Sequence, residues 1–124
     1  MAGYPIYYLC EFTSLATANN QTKNITFNDP GLIKGVTFSA ISAAGTKLER
    51  AAFFVNVQRQ NQRGLTTGDV SADAWTGTGE RPYSIAGQLG QYRIERNDSL
   101  QVTVTNRSGT TASYAQVVFI LHAD

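Results

Sequence analysis

The chain of 124 residues predicts an all-β fold: an antiparallel β-sandwich, a jelly roll of about eight strands, in a single domain spanning 1–124. Three observations carry this. Helical periodicity is almost absent. Short runs of alternating apolar and polar residues recur between clusters of Gly, Pro, Asn, Asp and Ser, which is the mark of a sandwich or barrel. The last run, residues 114–122, is apolar on both faces, so it belongs at the centre of a sheet or under another subunit, because a free hydrophobic edge invites aggregation.

The elements follow in order. Residues 6–15 place Ile6, Tyr8, Cys10 and Phe12 on one face. Residues 22–28 turn Ile25 and Phe27 one way and Asn24, Thr26 and Asn28 the other, and stop at Asp29-Pro30-Gly31, a turn tripeptide. Residues 35–42 present Val36, Phe38 and Ala40 inward. A short helical turn is expected at 46–51, leading into a fourth strand, 50–60, with Ala51, Phe53, Val55 and Val57 inward. Residues 61–82 break the rhythm with four glycines and only three large apolar groups, Leu65, Val70 and Trp75. A stretch of this length in a compact domain usually carries function or minor structure of its own. We expect a short strand near 64–67 and an excursion over 69–81, then strands at 81–85 and 91–95. The chain closes with a hairpin: Leu100, Val102 and Val104 share one face, Gln101, Thr103 and Thr105 the other, and the turn falls at Asn106-Arg107-Ser108-Gly109 before the last strand. In a jelly roll the first and last long strands are neighbours. An immunoglobulin-like sandwich is the competing topology, but the Cys and Trp pattern it often carries is missing.

Charged residues make up only 15% of the chain, and the polar load falls on Thr, Ser, Asn, Gln and Gly. Interfaces are depleted in charge at their centres, so this composition suits assembly; a secreted β-domain would give the same balance. The net charge of +1 and seven dispersed arginines provide no footprint for nucleic acid or an anionic membrane. The sole cysteine, Cys10, excludes an intrachain disulfide and is expected as a small buried hydrophobe. The N-terminal residues lack a basic region followed by an apolar run, so synthesis and folding in the cytoplasm are expected. The four Asn-x-Ser/Thr triplets, at Asn20, Asn24, Asn97 and Asn106, are read as turn chemistry beside Thr-rich strands rather than glycosylation sites.

His122 is the only histidine, so a multi-His metal site is excluded, and no enzyme activity and no cofactor are expected. Gly45-Thr46-Lys47 lacks the rest of a phosphate-binding loop. Asp69 and Asp73, with Glu80, are too few oxygens for calcium and read as solvated loop acids. Trp75 with Tyr83, Tyr7 and Tyr8 has three readings: a sugar-stacking platform, an anchor for a protein interface, or a plug for one end of the sandwich.

The segments PGLIKGVTFSAISAAGTKLERAAFFVNVQRQ, RNDSLQVTVTNRSG and AQVVFILHAD, with the Gly-rich excursion between the first two, resemble small jelly-roll virion proteins of bacteriophages: capsid decoration (cement) proteins and vertex or minor capsid components. The resemblance covers the chain from about Asn28 onward. It implies multimers on a capsid or collar, with no cofactor and no catalysis; the chain is accordingly expected to be a homo-oligomer, with a trimer favoured, bound to a major capsid or other virion protein and located in the virion after synthesis in the bacterial cytoplasm. The resemblance carries no functional residue across; from the chain's own aromatic, arginine and uncharged strand positions the expected interface residues are Tyr7, Arg63, Trp75, Arg81, Tyr83, Gln101, Thr103 and Thr105. A glycan-binding module is the alternative.

Overall fold

The computed structural model describes residues 5–59, 69–72 and 92–124. Eight strands are formed among them: β1 (Pro5–Leu15), β2 (Asn20–Thr26), β3 (Gly31–Ile41), β4 (Phe53–Arg59), β5 (Val70–Ser71), β6 (Tyr92–Ile94), β7 (Ser99–Asn106) and β8 (Ala112–Ala123). They build two four-stranded antiparallel sheets, one in the order β1-β8-β3-β6 and the other β2-β7-β4-β5. These orders are those of a chain folded first into one long hairpin and then rolled up: β1 pairs β8, β2 pairs β7, β3 pairs β6, and β4 pairs β5. The register shows the same continuity. Thr22 faces Thr103, Ile33 faces Tyr92 and Val55 faces Val70, so the partner numbers have one common sum across three of the four pairs. In β1–β8, where Phe12 faces Ala115, the sum is larger by two. The two additional residues lie in the turn between β7 and β8, and an even shift keeps every side chain on its own face. Rolling adds the pairings β3–β8 and β4–β7, which close the two sheets.

The jelly roll expected from sequence is therefore formed, with β1 and β8 adjacent and β8 central in its sheet. Alternation decides which side chains go in. Phe12, Leu15, Ile33, Ile94, Phe119 and Leu121 of one sheet meet Phe53, Val55, Val57, Leu100, Val102 and Val104 of the other, all at most 1% exposed. Phe27, just beyond β2, packs edge-on to Phe119 at 6.1 Å and against Tyr8 at 4.7 Å.

Three local expectations are corrected. The segment from Asn97 onward is not a hairpin: β7 and β8 belong to different sheets, because the turn after Asn106 crosses the core instead of folding back in-plane. The helical turn forms at Arg50–Ala52, and Ala51 in it is exposed. Strand β3 begins at Gly31, earlier than expected, and takes in an additional residue opposite β8 between Ile33 and Gly35, a bulge. The short strand expected at 64–67 and the strand at 81–85 lie outside the described residues.

Candidate functional site

The sandwich offers two broad sheet faces, and their chemistry follows from what the alternation leaves outside. On the β2-β7-β4-β5 sheet, Asn20, Thr22, Asn24 and Thr26 of β2 stand beside Thr105, Thr103, Gln101 and Ser99 of β7. These in turn stand beside Phe54, Asn56 and Gln58 of β4. The face is uncharged across all three strands. Its polar groups are partly paired among themselves. The hydroxyls of Thr22 and Thr103 are 2.8 Å apart, and Gln58 Nε2 donates to Asn56 Oδ1 at 2.6 Å. Asn56 Nδ2 reaches Asp69 Oδ1 at 3.4 Å at the β5 margin. There Arg107 lies over the Phe54 ring, 4.4 Å from its centroid, and 3.7 Å from Asp69. Away from this margin the face supplies donors and acceptors without a charge that must be stripped of water on contact.

The outer face of the β1-β8-β3-β6 sheet is different. Tyr7 faces Ile120, which faces Gly35; Leu9 faces Val118, which faces Thr37. Tyr7 is 62% and Leu9 52% exposed, while Ile120 and Val118 are half-buried. Further along, the Tyr114 hydroxyl lies 2.5 Å from Glu11 Oε2 and 2.6 Å from Gln116 Oε1. The hydrogen bond to Glu11 holds the Tyr114 phenol above its ordinary pKa. His122 is exposed, in the row of Pro5 and Leu32.

The expected interface residues are thus divided. Gln101, Thr103 and Thr105 share one sheet face, and Tyr7 lies on the opposite side of the sandwich. Arg63, Trp75, Arg81 and Tyr83 lie outside the described residues, as does Asp73. Val118 and Ile120 belong to the last strand, whose two apolar faces are plain in the sequence; Leu9 is the addition, and its signal is that residues 6–10 of β1 are apolar on both faces as well.

Other candidates offer less. Cys10 is buried at 4% exposure, and burial pushes its thiol up to about 11, so it is held protonated and unreactive. Among the described residues, no group of three or more His, Cys, Asp or Glu is placed to hold a metal, and no helix is long and apolar enough to cross a membrane. An open depression of about 410 Å³ is lined, among the described residues, by Lys47, Leu48, Glu49 and Arg50, a mixed-charge rim. No protein-family model matches the sequence, and no curated protein matches it significantly.

Proposed function

We propose that this chain is a non-enzymatic structural protein of a bacteriophage virion, decorating or cementing the capsid or forming a vertex or collar component as a homo-oligomer. The observation that carries the reading is the uncharged three-strand face around Gln101, Thr103 and Thr105. A surface of hydroxyls and amides carries no charge to desolvate, and its groups can be satisfied by hydrogen bonds to a neighbouring backbone or side chain. The jelly-roll topology and the apolar surface around Tyr7 and Leu9 support the same reading. The chain would act by binding: contacts made only in the assembled shell raise its stability through mass action. The expected trimer would be built through one of these faces. Mass spectrometry of virus particles purified from the culture that makes the chain tests this. The chain should be recovered in the particle fraction in a fixed ratio to the major capsid protein. Recovery only in the free soluble fraction would overturn the proposal.

The exposed ring of Tyr7 favours one second reading, a glycan-binding module, since an open aromatic face suits the apolar face of a sugar. It predicts a hit on a glycan array that Tyr7→Ala removes.

A further inference from the structure

Among the described residues, each sheet of the sandwich ends in two edge strands, and the four edges are not equally guarded. Among the described residues, β5 and β6 run for only two and three residues. Strand β2 is longer, but Lys23 stands opposite buried Val102 on its core-facing row, so a strand docking there would have to bury a charge. Strand β1 has neither protection. It runs eleven residues, its core-facing row is Ile6, Tyr8, Cys10 and Phe12, and its only charge is Glu11 on the outer row.

Exposure on the outer face is graded toward this edge. In two successive rows, Tyr7 and Leu9 are exposed while their inner neighbours Ile120 and Val118 are half-buried. Among the described residues only three large hydrophobic side chains are exposed, and two of them are this pair. Among the described residues, no strand stands beside Tyr7 and Leu9 on the side where the sheet stops. The open run has defined ends. Pro5 has no N–H to donate. At the other end the Thr13 carbonyl already accepts from Gln21 Nε2 at 2.7 Å, and Ser14, with φ of 53°, interrupts the strand geometry. Residues 5–13 remain, and their midpoint is Leu9.

We propose that two copies of this chain pair antiparallel along β1 about a two-fold axis at Leu9, extending the β1-β8-β3-β6 sheet into one continuous eight-stranded sheet. The strand is self-complementary in this register. Leu9 faces Leu9 of the second copy, Tyr7 faces Glu11 of the second copy, and on the core side Tyr8 faces Cys10 and Ile6 faces Phe12. At Leu9 and along the core-side row apolar groups meet apolar groups, each Glu11 meets a Tyr7 ring rather than the other carboxylate, and a register centred on Glu11 would set the two carboxylates face to face. An isologous seam of this kind needs no second protein. It rests on the reading of the chain as self-associating, and it joins copies in pairs, so a trimer formed through another face becomes a hexamer.

Oxidative cross-linking tests the seam directly. In a Cys10→Ala background, Leu9→Cys should convert most of the chain to a disulfide-linked dimer, while Glu11→Cys, whose two copies lie four positions apart in register, should not. In the native background, Leu9→Lys should halve the mass seen by light scattering and leave the far-ultraviolet circular dichroism unchanged. Failure of Leu9→Cys to cross-link, with an oligomer whose mass Leu9→Lys does not alter, would remove β1 as the seam and leave self-association standing. A wild-type monomer would overturn both.

Discussion

The side-chain amide of Asn106 donates to the backbone carbonyl of Leu15 at 2.9 Å, joining the end of β7 to the end of β1 across 91 positions of sequence. The same Nδ2 donates to the Thr110 carbonyl at 2.9 Å, and Oδ1 accepts from the backbone N–H and the hydroxyl of Ser108. Asn106 is fully buried, so every one of these bonds replaces water. Asn106→Ala leaves the Leu15 carbonyl buried without this partner and should cost about 2 to 4 kcal/mol. Urea denaturation measures it; an unchanged midpoint would show that the turn is held by its backbone alone.

Gly31 starts β3 where it passes close to β8. A Cβ placed there would lie 2.2 Å from the His122 carbonyl oxygen, a backbone atom that cannot swing aside. Gly31→Ala should therefore destabilise by about 2 to 4 kcal/mol, among the severe single substitutions. Gly109→Ala, with nothing within 4 Å of the added methyl, should stay within about 0.5 kcal/mol. Equal midpoints for the two variants would contradict the close approach.

Cys10 links stability to alkaline pH. Its thiol is held above the ordinary value of 9.0, at about 11, chiefly by burial. Folding thus favours the protonated form, and the contribution is fully present below pH 9 and lost as pH rises toward 11. At 1.36 kcal/mol per unit this amounts to about 2 to 3 kcal/mol at most. The melting temperature of the wild type should fall more steeply between pH 8 and pH 11 than that of Cys10→Ala. Parallel curves would show that the thiol ionises as freely folded as unfolded.

The uncharged sheet face can be tested apart from stability. Thr103 sits between Thr22 and Asn56 on its outer side, so Thr103→Lys removes one exposed hydroxyl contact and should change folding stability by no more than about 0.5 to 1 kcal/mol. If this face meets a neighbouring protein, the same substitution buries an unpaired charge and should abolish recovery of the chain in purified particles. Particles that retain Thr103→Lys at the wild-type ratio would show that the face is free in the assembly.

Much of this architecture is legible in the sequence, because inward and outward residues alternate cleanly. Phe12, Val36, Phe53, Val102 and Val104 are placed in the core by periodicity alone, and the two-sided apolar strand at 114–122 places itself at the centre of a sheet. Periodicity does not say which strands pair. Leu100, Val102 and Val104 alternate identically whether β7 forms a hairpin with β8 or sits across the core from it, so the crossing at Asn106 is invisible until the sheets are assembled. Gly31 reads as a turn residue beside Pro30, yet its requirement comes from the passage of His122, a residue 91 positions away. The interaction surfaces are half legible. The Thr and Gln row of β7 is plain in the alternation, but that Asn20, Thr22 and Asn24 continue it depends on the β2–β7 register. The exposure of Leu9 depends on β1 being an edge.

The proposed function requires association through the sheet faces and the β1 edge. Native mass spectrometry of the purified wild-type chain at micromolar concentration is the most direct test. It should give a discrete homo-oligomer with an even number of copies. A monomer that persists as the concentration is raised would contradict it.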